Sequence, residues 1–286
     1  MAISIGSNIT SLQAQRRLDI TGGKLSQAFN KLSSGYRINR GADDAAGLAI
    51  AESLKAQSRI AGQALRNTND GISTIAIADG ALGEVGNILS RLAELASQAA
   101  NGTLSTTQRS VVSNEFVALS SEIERIAAVT EFNGIKLLSG SSNVVIQVGT
   151  GSTSSSQIGY TNQLATLKGI GLSSDFTGAL TYSINGASDA AAATAARLAL
   201  DAVYAAIYSV GASRGILGGV ESRLSTAIAN LGVARENLVA AESRIRDVDV
   251  AEEAANLTRL NILQQAGTAV LAQANQLPSL ALQLLR

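Results

Sequence analysis

The sequence predicts a mainly α fold: an elongated rod of long helices in coiled-coil-like packing, with a small β-hairpin and loop region in the middle of the chain. Three observations predict it. Val203, Val210, Leu217, Leu224, Leu231, Leu238 and Ile245 stand at every seventh position, and three residues after each come Ala206, Ser213, Val220, Ala227, Ala234, Ala241 and Val248, nearly all small. A large row beside a small row lets helix axes approach closely, as in left-handed coiled packing. Next, the 286 residues contain a single proline, Pro278, and 3% aromatics, which permits long helices with aliphatic cores. Finally, apolar repeats mark both ends of the chain and leave the middle polar.

Near the amino end, Leu18, Gly22, Leu25, Phe29, Leu32 and Tyr36 form a helical seam backed by Arg16, Arg17, Lys24 and Lys31. Residues 33–44 mix Gly, Ser, Asn and Asp and read as an irregular connector. A second helix runs from about Ala45 to Ala100, best marked by Leu82, Val85, Leu89, Leu92, Ala96 and Ala99, and stops at Asn101-Gly102. A third starts at a threonine cap near Thr106 or Thr107, uses Val112, Phe116, Leu119, Ile123 and Ile126, and ends in an Asn133-Gly134 turn. Val144, Ile146 and Val148 alternate as a strand does. Residues 150–157 are a Ser/Thr/Gly loop, and 164–172 and 180–184 read as strands or turns on the surface.

A Ser188 or Asp189 cap opens the long heptad helix, whose register breaks at 246–253. The last helix carries Leu263, Val270, Leu277 and Leu284 in one row and Leu260, Gly267, Ala274 and Ala281 in the other. From Ala254 onward only Arg259 and Arg286 are charged. Such a helix needs partners around most of its circumference. That points to self-assembly. The order of elements is palindromic, so the simplest fold brings the two ends together.

Composition excludes much chemistry. Lys plus Arg and Asp plus Glu balance at 22 each, so no basic field recruits nucleic acid or anionic lipid. Cys and His are both absent, which removes disulfides, thiolate catalysis, Ser-His-Asp triads and imidazole metal sites. No catalytic, cofactor-binding or metal-binding residue is predicted, and no cofactor. Asp43-Asp44 and the group Asp247, Asp249, Glu252 and Glu253 survive that filter, but both read as helix caps. Gly149-Thr-Gly151 lacks the Lys-Ser/Thr tail of a phosphate loop. Gly218-Gly219 costs about 1 kcal/mol per glycine inside a helix, and so reads as a close contact or a bend. The first residues lack a basic then apolar leader, and no long uninterrupted apolar window occurs, so neither a cleavable signal nor membrane insertion is expected.

Several segments resemble bacterial flagellin. Residues 32–39 (LSSGYRIN) and 42–50 (ADDAAGLAI), with Asn69-Asp-Gly-Ile-Ser73 and Phe132-Asn-Gly134, are similar to the amino-terminal signature of that family. Ser243-Arg-Ile-Arg-Asp-Val-Asp249 and residues 261–276 (NILQQAGTAVLAQANQ) are similar to its carboxyl-terminal signature. The short middle corresponds to the type without large outer domains. The resemblance implies a structural, non-enzymatic subunit of the extracellular flagellar filament, exported through the flagellar type III channel and polymerised for swimming. It implies residues 1–45 as an inner-tube helix and connector and 46–176 as core helices plus a β-hairpin region. A short exposed tip loop would occupy 177–189, a return helix 190–245, and a connector with the second inner-tube helix 246–286. The implied assembly seam is Leu18, Leu25, Phe29, Leu32, Leu260, Leu263, Val270, Leu277 and Leu284.

Implied partners are other copies of the chain, an export chaperone, and the filament cap and hook-associated junction proteins. Arg91, Leu95 and Glu115 match family positions implicated in binding the Toll-like receptor for flagellin, although Ala93 stands where arginine is usual. The plainer reading makes Leu95 a packing residue and Arg91 and Glu115 surface charges. Serines and threonines in 152–156 are open to O-linked glycans or form a plain solvated loop. The alternative functions are a hook–filament junction protein or a surface-displayed adhesin.

Overall fold

The computed structural model describes residues 7–140, 143–174, 180–186 and 188–284, with 277–284 as backbone only. The chain divides into two compact units: Ile60–Ala234, and Met1–Arg59 together with Arg235–Arg286. Among the described residues long helices dominate, with two small antiparallel strand pairs. They are α1 (Ile9–Ser34), α2 (Ala45–Ala99), α3 (Thr106–Val129), α4 (Asp189–Arg246) and α5 (Val250–Leu284). The predicted helical rows of α2 and α4 correspond to buried rows. In the unit Ile60–Ala234, Leu82, Val85, Leu89, Leu92, Ala96 and Ala99 of α2 are buried with Val203, Val210, Leu217, Leu224 and Leu231 of α4. Ala206 and Val220, from the small row, are buried beside them. The two helices run antiparallel here: Ala61 and Ala64 cluster with Leu231, and Asp79 meets Arg214 further along. Helix α3 adds Val112, Phe116 and Ile123 to the same core. Each Leu or Val so buried contributes roughly 1.5–3 kcal/mol.

Both α2 and α4 contain an 18-residue stretch apolar enough to cross a membrane by composition, with mean hydropathy 1.2 and 1.4. Their apolar rows pack into this core, and 33% and 28% of the two stretches are buried. Gly218 and Gly219 lie within the unbroken α4, and a Cβ on either would meet nothing within 4 Å, so no close approach within the chain requires them.

The Asp79–Arg214 pair is bidentate, with Nε and the second guanidinium nitrogen 2.7 and 3.0 Å from the carboxylate oxygens. Those hydrogen bonds hold the Asp79 carboxyl below its ordinary value of 3.8. Because the folded value is depressed, the pair stabilises above the unfolded value and is lost as pH falls through the folded one. The side chains are 38% and 48% exposed, so solvent screens most of it. Asp79→Asn is expected to cost about 0.2–1 kcal/mol in urea unfolding near neutral pH, and the difference should vanish in acid.

The start of α3 differs slightly from expectation, and that of α4 agrees with it. The cap of α3 is Ser105 rather than a threonine: its hydroxyl accepts from Gln108 N while Gln108 Oε1 accepts from Ser105 N, a reciprocal box. Ser188 caps α4, accepting from Ala191 N at 3.3 Å. Between them, β1 (Glu131–Phe132) and β2 (Ile135–Lys136) pair across Asn133-Gly134, whose φ values of 50° and 77° suit a two-residue hairpin turn. β3 (Asn143–Gln147) pairs with β4 (Gln157–Thr161) in the register Ile146↔Ile158, as the alternation at 144–148 predicts for its first strand. Ile146 lies on α2 at Gly71, where even one methyl group would overlap its side chain.

The middle of the chain departs from the surface reading. Ala165, Leu167, Ile170, Leu172 and Ile184 are buried, and the described backbone around them turns rather than forming strands, apart from one bridge between Ser173 and Leu180. Leu167 N donates to Glu124 Oε2 and Ala165 N to Leu138 O, which ties this segment to α3 and to the residues just after β2. Of the 177–189 segment, residues 177–179 and 187 lie outside the described ones.

Arg109, on α3, is the largest fully buried side chain. Its Nε donates to Ala99 O at 2.9 Å, one terminal nitrogen donates to Asn101 O and Leu104 O at 3.2 and 3.3 Å, and the other reaches Asp189 at 3.4 Å. It therefore satisfies Ala99 O, which α2 leaves unpaired where it ends, and two carbonyls of the turn that leads into α3.

Candidate assembly surface

The unit formed by Met1–Arg59 and Arg235–Arg286 is built on an antiparallel pair, α1 against α5. Asn8 caps α1, its Oδ1 accepting from Ser11 N at 3.0 Å, while its amide nitrogen donates to Ala274 O at 2.8 Å. Ser11 Oγ donates to Asn275 Oδ1 at 2.7 Å. Further along, a Cβ on Gly267 would lie 3.2 Å from Leu18 Cδ1, so the helices close on a glycine there. Leu260 and Ala274 are buried on α5 and Ala28 on α1, while Leu18, Leu25 and Leu32 are half-buried. The covered row of α5 is thus its small one.

Of the large row, Leu263 and Val270 face outward, as does Phe29 of α1. Phe29, Leu263 and Val270 are 64%, 52% and 59% exposed. A groove of about 830 Å³ lies along the pair, lined by Leu18, Ala28, Leu260, Leu263 and Val270 with Lys24 and Arg259 among its polar members. Of the predicted seam, Leu277 and Leu284 have no described side chain.

The two polar connectors join each other. Val248 N donates to Gly35 O, Arg37 N donates to Arg246 O, and Tyr36 bridges Asp247. The Arg246 guanidinium stands 4.4 Å from the centre of the Tyr36 ring and 2.9 Å from Glu52 Oε1. Gly35 ends α1 at φ 74°, the left-handed position that glycine tolerates. Asp43 accepts from Arg40 N and Asn39 N, and these bonds lower its carboxyl below the ordinary range. Asp44 Oδ1 accepts from Gly47 N at the start of α2, and Asp249 Oδ1 accepts from Ala251 N and Glu252 N at the start of α5. All three carboxylates act as turn and helix caps.

The other predicted trio lies on α2 and α3. Arg91 meets Glu115 with two nitrogens at 3.0 and 2.8 Å and Glu94 with a third at 2.8 Å. Glu94, then Glu115, raises the arginine's already high value. Leu95 is only 1% exposed and belongs to the core, so it offers no surface to a partner. Neither Arg109 nor the Arg246–Tyr36 contact is foreseen by sequence spacing. The Ser105-Thr-Thr-Gln108 box is a signal that would have placed the α3 cap.

Residues 5–143 match the bacterial flagellin N-terminal helical region, and residues 200–285 match the bacterial flagellin C-terminal helical region. The chain belongs to the bacterial flagellin family. It is 44% identical to a flagellin of Halalkalibacterium halodurans over 283 residues, spanning 99% of both proteins. It is 43% identical to a flagellin of Bacillus subtilis over 304 residues, and 38% identical to flagellin FlaB2 of Treponema pallidum over 290, again across 99% of both proteins. Like other flagellins, it is a structural subunit of the extracellular filament, self-assembling and not an enzyme.

Proposed function

We propose that the α1–α5 pair is the surface through which copies of this flagellin stack, with the outward row of Phe29, Leu263 and Val270 buried by neighbouring copies. The supporting observation is that each helix of the pair keeps large apolar residues on a side that the other helix does not cover. Roughly 1.5–3 kcal/mol per covered Leu or Val, repeated at every subunit, favours polymer over monomer. Two helices alone are marginal in water, so the pair gains most of its stability on joining neighbours. Before that, the same rows need cover or must remain unfolded. An export chaperone fits the first need, and passage through the type III channel requires the second. The filament cap and the hook-associated junction proteins are the partners that such a surface meets at the two filament ends. For an innate receptor, the exposed Arg91 and Glu115 are the groups offered, with Leu95 acting through packing. Electron microscopy of the purified full-length protein under rising ammonium sulfate tests the central reading. Filaments of uniform width are expected, and a protein that stays monomeric throughout would refute it.

A further inference from the structure

The sequence has three Asn-Gly steps, at 101–102, 133–134 and 185–186, and the structure holds them in three different ways. Asn101 turns its amide oxygen toward Thr103 N at 3.2 Å, past its glycine. Asn133 is fixed at φ 50° in the turn between the paired strands β1 and β2. Only at Asn185 does the following glycine point its N–H at the asparagine's own carboxamide oxygen, with Gly186 N 3.0 Å from Asn185 Oδ1.

We propose that Asn185 is a self-modifying site that deamidates in the folded protein, with water as its only co-reactant. The hydrogen bond keeps the nucleophilic nitrogen beside the carboxamide that it must attack. When hydroxide takes the Gly186 amide proton, the anionic nitrogen already lies beside the carboxamide, and a turn about the Cβ–Cγ bond presents Cγ to it in place of Oδ1. Attack on Asn185 Cγ forms a new bond from nitrogen to carbon and closes a five-membered imide. The bond between Cγ and Nδ2 breaks as ammonia leaves. Water then opens the imide at either carbonyl, leaving aspartate or isoaspartate. The net change is one water consumed and one ammonia released, without oxidation or reduction.

Ser183 prepares this step. Its hydroxyl accepts from Asn185 N and donates to Asn185 O, both at 3.1 Å. The first bond holds the backbone in place. The second draws electrons from the peptide group whose nitrogen is that of Gly186, which makes its proton easier to remove. A residue larger than glycine is excluded, because a Cβ at 186 would lie 2.7 Å from Ala192 N on the first turn of α4. Each event adds one negative charge to a subunit whose formal charge is zero.

Peptide mapping by mass spectrometry of the purified full-length protein, aged in mildly alkaline heavy-oxygen water, tests the proposal. The Asn185 peptide is expected to convert severalfold faster than the Asn101 and Asn133 peptides, with uptake of heavy oxygen. In urea the three rates should converge. Ser183→Ala, checked for unchanged circular dichroism, should slow Asn185 severalfold and leave Asn101 as before. Equal rates at the three sites in the folded protein would overturn the site, as would an Asn185 rate no higher folded than in urea. An unchanged rate in Ser183→Ala would overturn the role of the hydroxyl.

Discussion

Replacing Arg109 with alanine is expected to lower the stability of the Ile60–Ala234 unit by about 2–6 kcal/mol. The side chain is fully buried and donates to Ala99 O, Asn101 O and Leu104 O. Truncation removes the donors and leaves Ala99 O and Leu104 O without them, while Asn101 O keeps Leu104 N at 3.5 Å; each orphaned group costs about 1–3 kcal/mol unless water enters. Asp189 contributes far less. Its side chain is 61% exposed and sits 3.4 Å away, so Asp189→Ala should cost under about 1 kcal/mol. Arg109→Lys should fall between the two, because one ammonium cannot reproduce a planar fork spread over three carbonyls. Urea unfolding followed by circular dichroism measures all three. An Arg109→Ala loss below about 1 kcal/mol would mean that water replaces the guanidinium at no great cost.

Leu263→Asp and Val270→Asp are expected to abolish filament formation and leave the isolated subunit as stable as before. Both positions are more than half exposed on a single subunit, where an added carboxylate stays in water. Between stacked copies the same carboxylate would be desolvated without a partner, at a cost of several kcal/mol per subunit. Leu260→Asp is the contrast: Leu260 is 5% exposed against α1, so this change should destabilise the subunit itself. Sedimentation and electron microscopy after salting-out, beside thermal unfolding of the soluble subunit, separate the two effects. Normal filaments from both outward variants would remove this row from the contact surface.

The heptads of α4 are readable because an unbroken large row stands beside a row that is nearly all small, and only a helix puts them on adjacent rows. The same logic cannot choose between the two rows of α5. Leu263 and Val270 carry more apolar area than Gly267 and Ala274, yet the small row meets α1 because backbones approach closest over small side chains. Arg109 is invisible for another reason. Its partners are main-chain oxygens, which every residue has, so no spacing announces them. The segment 164–172 has no period that marks a buried face, and Leu167 and Leu172 are covered by a folded-back turn rather than by regular structure. Tyr36 and Arg246 meet across most of the sequence's length, and neither residue type calls for the other.

The β3–β4 hairpin pairs its strands fully and leaves Gly151, Ser152 and Thr153 exposed at its bend. Ring-closure entropy rises only with the logarithm of loop length, so doubling that bend costs about 0.6 kcal/mol. A foreign peptide spliced there would be carried once per copy, which makes this bend a natural place to graft an epitope for dense multivalent display.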